Sequence, residues 1–194
     1  MVMHFYLVSS ITPLKQLQMK KNVWVFGLIS GLLITGMMLY SVTKIYRGGD
    51  FKGNDVLGYA AMIVAFSFIF VGVKNYRDKY NHGVISFGKA FKMGLLITLV
   101  AATMYVTVWL VDYYFFVPDF IDKYTTCVLN DAKRDGATAA QLTQKTSEMA
   151  SFAEMYKNPL FVILITYLEV IPVGLIVSLI CALILKKKNK QAIV

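Results

Sequence analysis

Side chains that carry chemistry are scarce in this chain. Its 194 residues include only two cysteines, Cys127 and Cys181, and two histidines, His4 and His82. Two cysteines make no disulfide framework. Cys127 falls in a long polar loop and Cys181 near the end of the last apolar run, so roughly 20 Å or more of straight helix lies between them. No bridge between them is expected. The histidines are far apart in sequence and suggest no metal site. There is no HExxH pattern, no nucleophile–base arrangement, and no zinc-finger, helix-turn-helix or RNA-binding pattern. Phe87-Gly-Lys89 is not a phosphate-cradling loop: the upstream glycine spacing fails, and Ala90 stands where a Ser or Thr is needed. No catalytic residue, cofactor, metal or nucleic-acid partner is therefore expected.

Charge is scarce as well. Only 16% of residues are charged, against about a quarter in an average soluble domain. Hydrophobic residues make up 57% of the chain, and the mean hydropathy is +0.59. The charges cluster between apolar runs, which is the pattern of a membrane protein. The net charge of +9 belongs to lysines that flank those runs, where membrane topology and anionic lipid account for it.

Four apolar runs read as spans, at about 23–42, 56–73, 91–116 and 160–185. The expected fold is all-α: four transmembrane helices with an extracytoplasmic helical hairpin, 118–158, between spans three and four. Residues 19–188 form one membrane domain and 189–194 a short tail. Met19-Lys-Lys-Asn22 resembles a bacterial start, a basic segment followed at once by an apolar run. Two readings of residues 1–18 follow: a cytoplasmic tail, or an upstream extension that is not translated. The first run is too long for a signal-peptide core and lacks a cleavage site, so it stays as an anchor. Gly27 and Gly31 share a face and allow close approach of a neighbouring helix.

Turn and cap signals mark the connections. Gly48, Gly49 and Gly53 punctuate the first loop, and Asn54 or Asp55 caps the second span. Asn81-His-Gly83 is a turn and Ser86 a helix start. In the third loop Pro118 begins a helix that Gly136 ends. Thr138-Ala-Ala-Gln141 fits a capping box for a second helix, and Asn158-Pro159 caps the fourth span. Lysine and arginine are concentrated before span one, in the second loop and after span four. The third loop's cations are outnumbered by its acids. Both termini are expected in the cytoplasm.

Tyr76-Arg-Asp-Lys-Tyr80, Val84-Ile-Ser-Phe-Gly-Lys-Ala-Phe-Lys-Met-Gly94 and Leu168-Glu-Val-Ile-Pro-Val-Gly-Leu175 together resemble the small four-span bacterial membrane family known as domain of unknown function 4199. The resemblance runs from about Met19 to Lys188. It implies a multi-pass bacterial inner-membrane protein and no activity.

Glu169 is the deepest charge. A carboxylate within a span is costly, roughly 2.5–3.5 kcal/mol on insertion scales for the comparable Asp at a helix centre. It stands 17 residues before Lys186, roughly 25 Å along a straight helix, in the outer third of the bilayer. Tyr40, Tyr59, Tyr105 and Asp112 can reach the same half. Pro172 frees the carbonyl of Leu168 beside the acid and is expected to kink the helix. The sharp reading is a polar cluster serving proton or cation passage; the plain one is a protonated or paired Glu that fixes the bundle. Gly174, Ser178 and Ala182 form a small-residue stripe on another face, a possible dimer seam. Arg77, Lys79, Lys89 and Lys92 are candidate contacts to anionic lipid headgroups, or simply topology anchors that snorkel. The expected function is a non-enzymatic structural or interaction protein; the alternative is a small transporter or channel component using Glu169.

Overall fold

A computed structural model describes residues 2–47 and 54–187, with side chains over 15–47 and 56–187. Six α-helices follow in order: α1 Val2–Tyr46, α2 Asn54–Asn75, α3 Phe87–Val111, α4 Phe120–Arg134, α5 Ala139–Tyr156 and α6 Pro159–Leu185. Turns of π-helix extend α2 over Tyr76–Tyr80 and α3 over Asp112–Phe116. Four helical segments are long and apolar enough to cross a membrane: Lys15–Tyr46, Val56–Tyr80, Phe87–Phe116 and Pro159–Leu185.

The four long helices pack in a ring. α1 lies against α2 and α3, α6 closes the ring against the same two, and α2 touches α3 more lightly across the middle. Buried residues face inward: Phe66, Ile69 and Val73 from α2, Met93 and Ile97 from α3, Val162 and Val170 from α6. Outward faces carry Leu32, Ile63, Val64, Leu164, Ile176, Leu183 and Ile184, all exposed. A soluble monomer does not present so continuous an apolar surface to water. A bilayer solvates it.

Small residues set the spacing between helices. A Cβ on Gly27 would stand 2.7 Å from Val100 Cβ, and one on Gly31 would stand 2.9 Å from Met104 Sδ. The glycine face of α1 therefore lies on α3. The stripe of α6 packs on α3 as well: a Cβ on Gly174 would meet Thr98 Cγ2 at 2.3 Å, and a Cβ on Gly94 would meet Ser178 Cβ at 2.7 Å. Gly174, Ser178 and Ala182 are buried inside the chain, so that stripe is not available as a dimer seam. Polar groups between helices find partners, as hydrocarbon demands. Ser30 Oγ donates to the Ala65 carbonyl at 2.9 Å. Asn75 Nδ2 donates to Asn22 Oδ1 at 2.7 Å.

The expected punctuation largely appears. Ser86 caps α3, its hydroxyl accepting from the Lys89 amide at 3.4 Å. Thr138 and Gln141 form the capping box of α5. Asn158 caps α6, with Pro159 in its first turn. His82 and Gly83 turn the chain with positive φ, as does Gly136 between α4 and α5. Four boundaries differ. The first crossing segment, Lys15–Tyr46, runs past the expected 23–42 at both ends, and α1 continues through Thr43 to Tyr46. The second crossing segment reaches Tyr80 and so spans 25 residues; Lys74 to Tyr80 reads as loop, but Tyr76 is fully buried and carries the helix on. The third begins at Phe87, because its cap is Ser86. Pro118 lies ahead of α4, not within it: α4 begins at Phe120. The glycines of the first loop, and the side chains of Asn54 and Asp55, lie outside the described residues.

Candidate functional site

The two ends of the bundle differ in chemistry. At the end that holds the α2–α3 connection, Ile85 and Lys187 exchange backbone hydrogen bonds of 3.1 and 2.9 Å. Arg77 donates to the Leu185 carbonyl at 3.4 Å and forms a 2.6 Å ion pair with Asp78. It thus meets an orphan carbonyl at the α6 C-terminus, where a cation suits the helix dipole. Lys89 lies 4.8 Å from the centre of the Tyr76 ring. Arg77 is engaged with internal partners, while Lys79 and Lys92 are exposed.

The opposite end is aromatic. Trp109 Nε1 donates to the Tyr156 hydroxyl at 3.1 Å, joining α3 to α5. Phe120 meets the Trp109 ring edge-on at 4.9 Å, and Tyr113 meets Tyr156 likewise at 5.3 Å. Burial pushes the Tyr156 hydroxyl up to about 12. At the start of α4, the Tyr46 hydroxyl donates to Asp119. Lys123 stands 4.6 Å over the Tyr46 ring and 3.5 Å from Asp119. The Tyr46 hydrogen bond, helped by Lys123, holds the Asp119 carboxyl below the usual carboxylate range. These contacts tie α4 and α5 down over the ends of α1 and α3.

Beneath α4 and α5 lies a cavity of about 560 Å³. Its wall is mostly apolar: Ile34, Met38 and Val42 of α1, Met62 of α2, Ile165 and Leu168 of α6. Phe120, Ile121 and Tyr124 of α4, with Phe152 and Tyr156 of α5, cover it. Glu169 lines it together with Tyr59, Tyr105, Trp109, Ser41 and Thr166. Tyr105 Oη donates to Glu169 Oε1 at 3.4 Å, a long hydrogen bond across the α3–α6 seam. Tyr59, Leu168 and Glu169 are exposed, so the cavity opens between α2 and α6. A Cβ on Gly58, in the α2 wall, would meet nothing within 4 Å. Size and lining suit a small-molecule site: an apolar pocket with a few convergent polar groups. Glu169 lies 16 residues before Leu185, roughly 24 Å along the helix.

The fold thus brings together Glu169, Tyr105 and Tyr59 and leaves the other candidates apart. Tyr40 is exposed on α1, with Lys44 6.0 Å from its ring centre. Pro172 is exposed, and α6 runs on through it as one helix; Leu168, whose carbonyl the proline frees, lines the cavity instead. Asp112 lies in the π turn after α3, outside the lining, and its Oδ2 is buried without a hydrogen-bond partner. Sequence reasoning did not assign Trp109, Tyr124 and Tyr156 to the site. They come from segments that read as interface and loop, and only the aromatic density there hints at a common surface. Among the described residues, no group of three or more His, Cys, Asp or Glu is placed to hold a metal ion.

Four apolar helices with lipid-facing side chains, and a cavity between them that opens beside Glu169, define a multi-pass α-helical membrane protein. Residues 22–187 match the family described as "Protein of unknown function (DUF4199)". The chain belongs to that family. No curated protein and no solved structure matches it.

Proposed function

We propose that this chain is a non-enzymatic binding protein of a bacterial inner membrane that houses an amphiphilic guest in the cavity walled by Glu169. The observation that carries this reading is the cavity itself. A bundle packed so closely along the α3–α6 seam that a Cβ on Gly94 or Gly174 would clash with Ser178 or Thr98 nevertheless leaves about 560 Å³ open beneath α4 and α5. Its mouth faces the flank where lipid would lie, so a guest can enter from the bilayer. The lysine distribution supports cytoplasmic termini, which puts the α4–α5 hairpin and the cavity on the outer side. Exposed Lys79 and Lys92 then lie at the cytoplasmic face, suited to anionic headgroups.

Native mass spectrometry of the full chain, released from bacterial membranes in mild detergent, tests this reading. Wild type is expected to retain a small amphiphile. Gly58→Trp is expected to lose it, because Gly58 lines the cavity and a Cβ there meets nothing within 4 Å, which leaves room for an indole at the wall. Equal adducts on both proteins, or none on either, would count against the cavity as the site.

A second reading, a transporter or channel component using Glu169, is favoured by the carboxylate facing an open cavity. Against it, the bundle beyond Glu169 is closed by Gly94, Thr98, Gly174 and Ser178 packed against one another. Cation flux into liposomes carrying wild type, abolished by Glu169→Gln, would establish that reading; absence of flux from both would remove it.

A further inference from the structure

The shape of the cavity narrows the guest. Resting on the binding reading above, we infer that the cavity takes a flexible acyl chain, laid parallel to the lipid chains of the leaflet that the α4–α5 hairpin covers. Six α1 residues line it: Ile34, Met37, Met38, Ser41, Val42 and Ile45. They recur every three or four residues, so they form one continuous face of the helix. Ile34 and Ile45 stand 11 residues apart, roughly 16 Å along α1. The cavity is therefore long in the direction of the helices. Ile45 is next to Tyr46, where the first crossing segment ends, so the lined face runs inward from the membrane boundary. Half of a hydrocarbon core of about 30 Å is about 15 Å, the depth filled by the chains of one leaflet. Length and placement thus match one such chain.

The position of the mouth calls for a guest that bends. Tyr59 of α2 and Leu168 of α6 are exposed at the opening. α1 packs on α2 and α3, and α6 packs on the same two, so α1 stands across the ring from α6. A guest that enters sideways between α2 and α6 must turn to lie along the α1 face. A methylene chain turns by rotation about its single bonds; a fused-ring body does not. The wall suits a mobile chain as well. Met37, Met38 and Met62 line it, and unbranched thioether side chains adapt to the shape beside them. The polar head of the guest stays at the mouth beside Tyr59, a ring suited to the boundary between apolar and wet surroundings.

Photolabelling of the full chain in nanodiscs tests this with three probes: a phosphatidylcholine carrying a diazirine at mid-chain, the free fatty acid of that same chain, and a sterol carrying a diazirine in its rings. Peptide mass spectrometry then locates the adducts. Met38 and Met62 line the cavity and are only 9% and 5% exposed, so adducts there report entry. Leu32 and Leu164, on the outer faces, report the surrounding lipid. Normalised to those two, a chain probe is expected to label Met38 and Met62 at least tenfold more than the sterol does. Labelling by the phospholipid identifies a bilayer lipid as carrier of the chain; labelling by the fatty acid alone identifies a free acid. Gly58→Trp should cut the inner adducts at least fivefold and leave those on Leu32 and Leu164 unchanged. Undiminished inner adducts in that variant, a smaller advantage over the sterol, or a preference for the sterol would overturn the acyl-chain inference, and in the last case the cavity remains a binding site. If none of the three probes labels Met38 or Met62, both readings fall.

Discussion

Glu169 and Gly174 share one helix and do different work. At 3.6 residues per turn they point about 140° apart, so the glycine lies in the seam with α3 while the acid faces the cavity. Gly174→Leu drives a branched side chain into Thr98, already 2.3 Å from the position of a Cβ. Overpacking of this kind costs about 1–3 kcal/mol or more; the unfolding midpoint in detergent should fall while the oligomeric state stays unchanged, because the stripe packs internally. A change in oligomer size without loss of stability would contradict that placement. Tyr46 acts through its hydroxyl. The Asp119 pKa is depressed in the fold, so this link is present at and above ordinary carboxylate pKa values, about 3.9, and is lost as pH falls through the lowered value. Tyr46→Phe should move the Asp119 titration, followed by carboxyl NMR, back up toward that ordinary value. An unmoved titration would place the cause elsewhere.

At the scale of elements, legibility follows the range of the interaction. Helix starts were readable at Ser86, Thr138 and Asn158 because a cap is a contact over two or three residues. The end of the second crossing segment was not. Its last turn is polar in letters, and only Tyr76, buried among neighbours distant in sequence, carries the helix on to Tyr80. The same limit applies to the site. Glu169 stands out because a carboxylate in an apolar run is rare, and Tyr105 and Tyr59 could be placed at its depth by counting residues. The part of the wall supplied by α4 and α5 depends on how those helices fold back, which no periodicity encodes. The Trp109–Tyr156 hydrogen bond is one of the ties that hold them there. Tyr156→Phe should remove about 0.5–1.5 kcal/mol and raise amide exchange in α5 more than in α6. Uniform exchange across both helices would mean that α5 is held by other contacts.

For the whole molecule, the account needs the cavity at the outer side of the membrane. The two cysteines report on this directly. Cys127 is partly exposed on α4 and Cys181 is buried on α6. A membrane-impermeant thiol reagent added to intact spheroplasts should label Cys127 and spare Cys181; labelling of Cys127 only after permeabilisation would invert the topology. Architecture and function meet in the open volume beneath α4 and α5, and the central claim is that this volume binds. The most direct measurement is equilibrium titration of the full chain in nanodiscs with a neutral apolar fluorophore, comparing wild type with Gly58→Trp. The account predicts saturable binding of one probe per chain in wild type and at least tenfold weaker binding in the variant, with the unfolding midpoint preserved. Equal, non-saturable uptake by both proteins would contradict it.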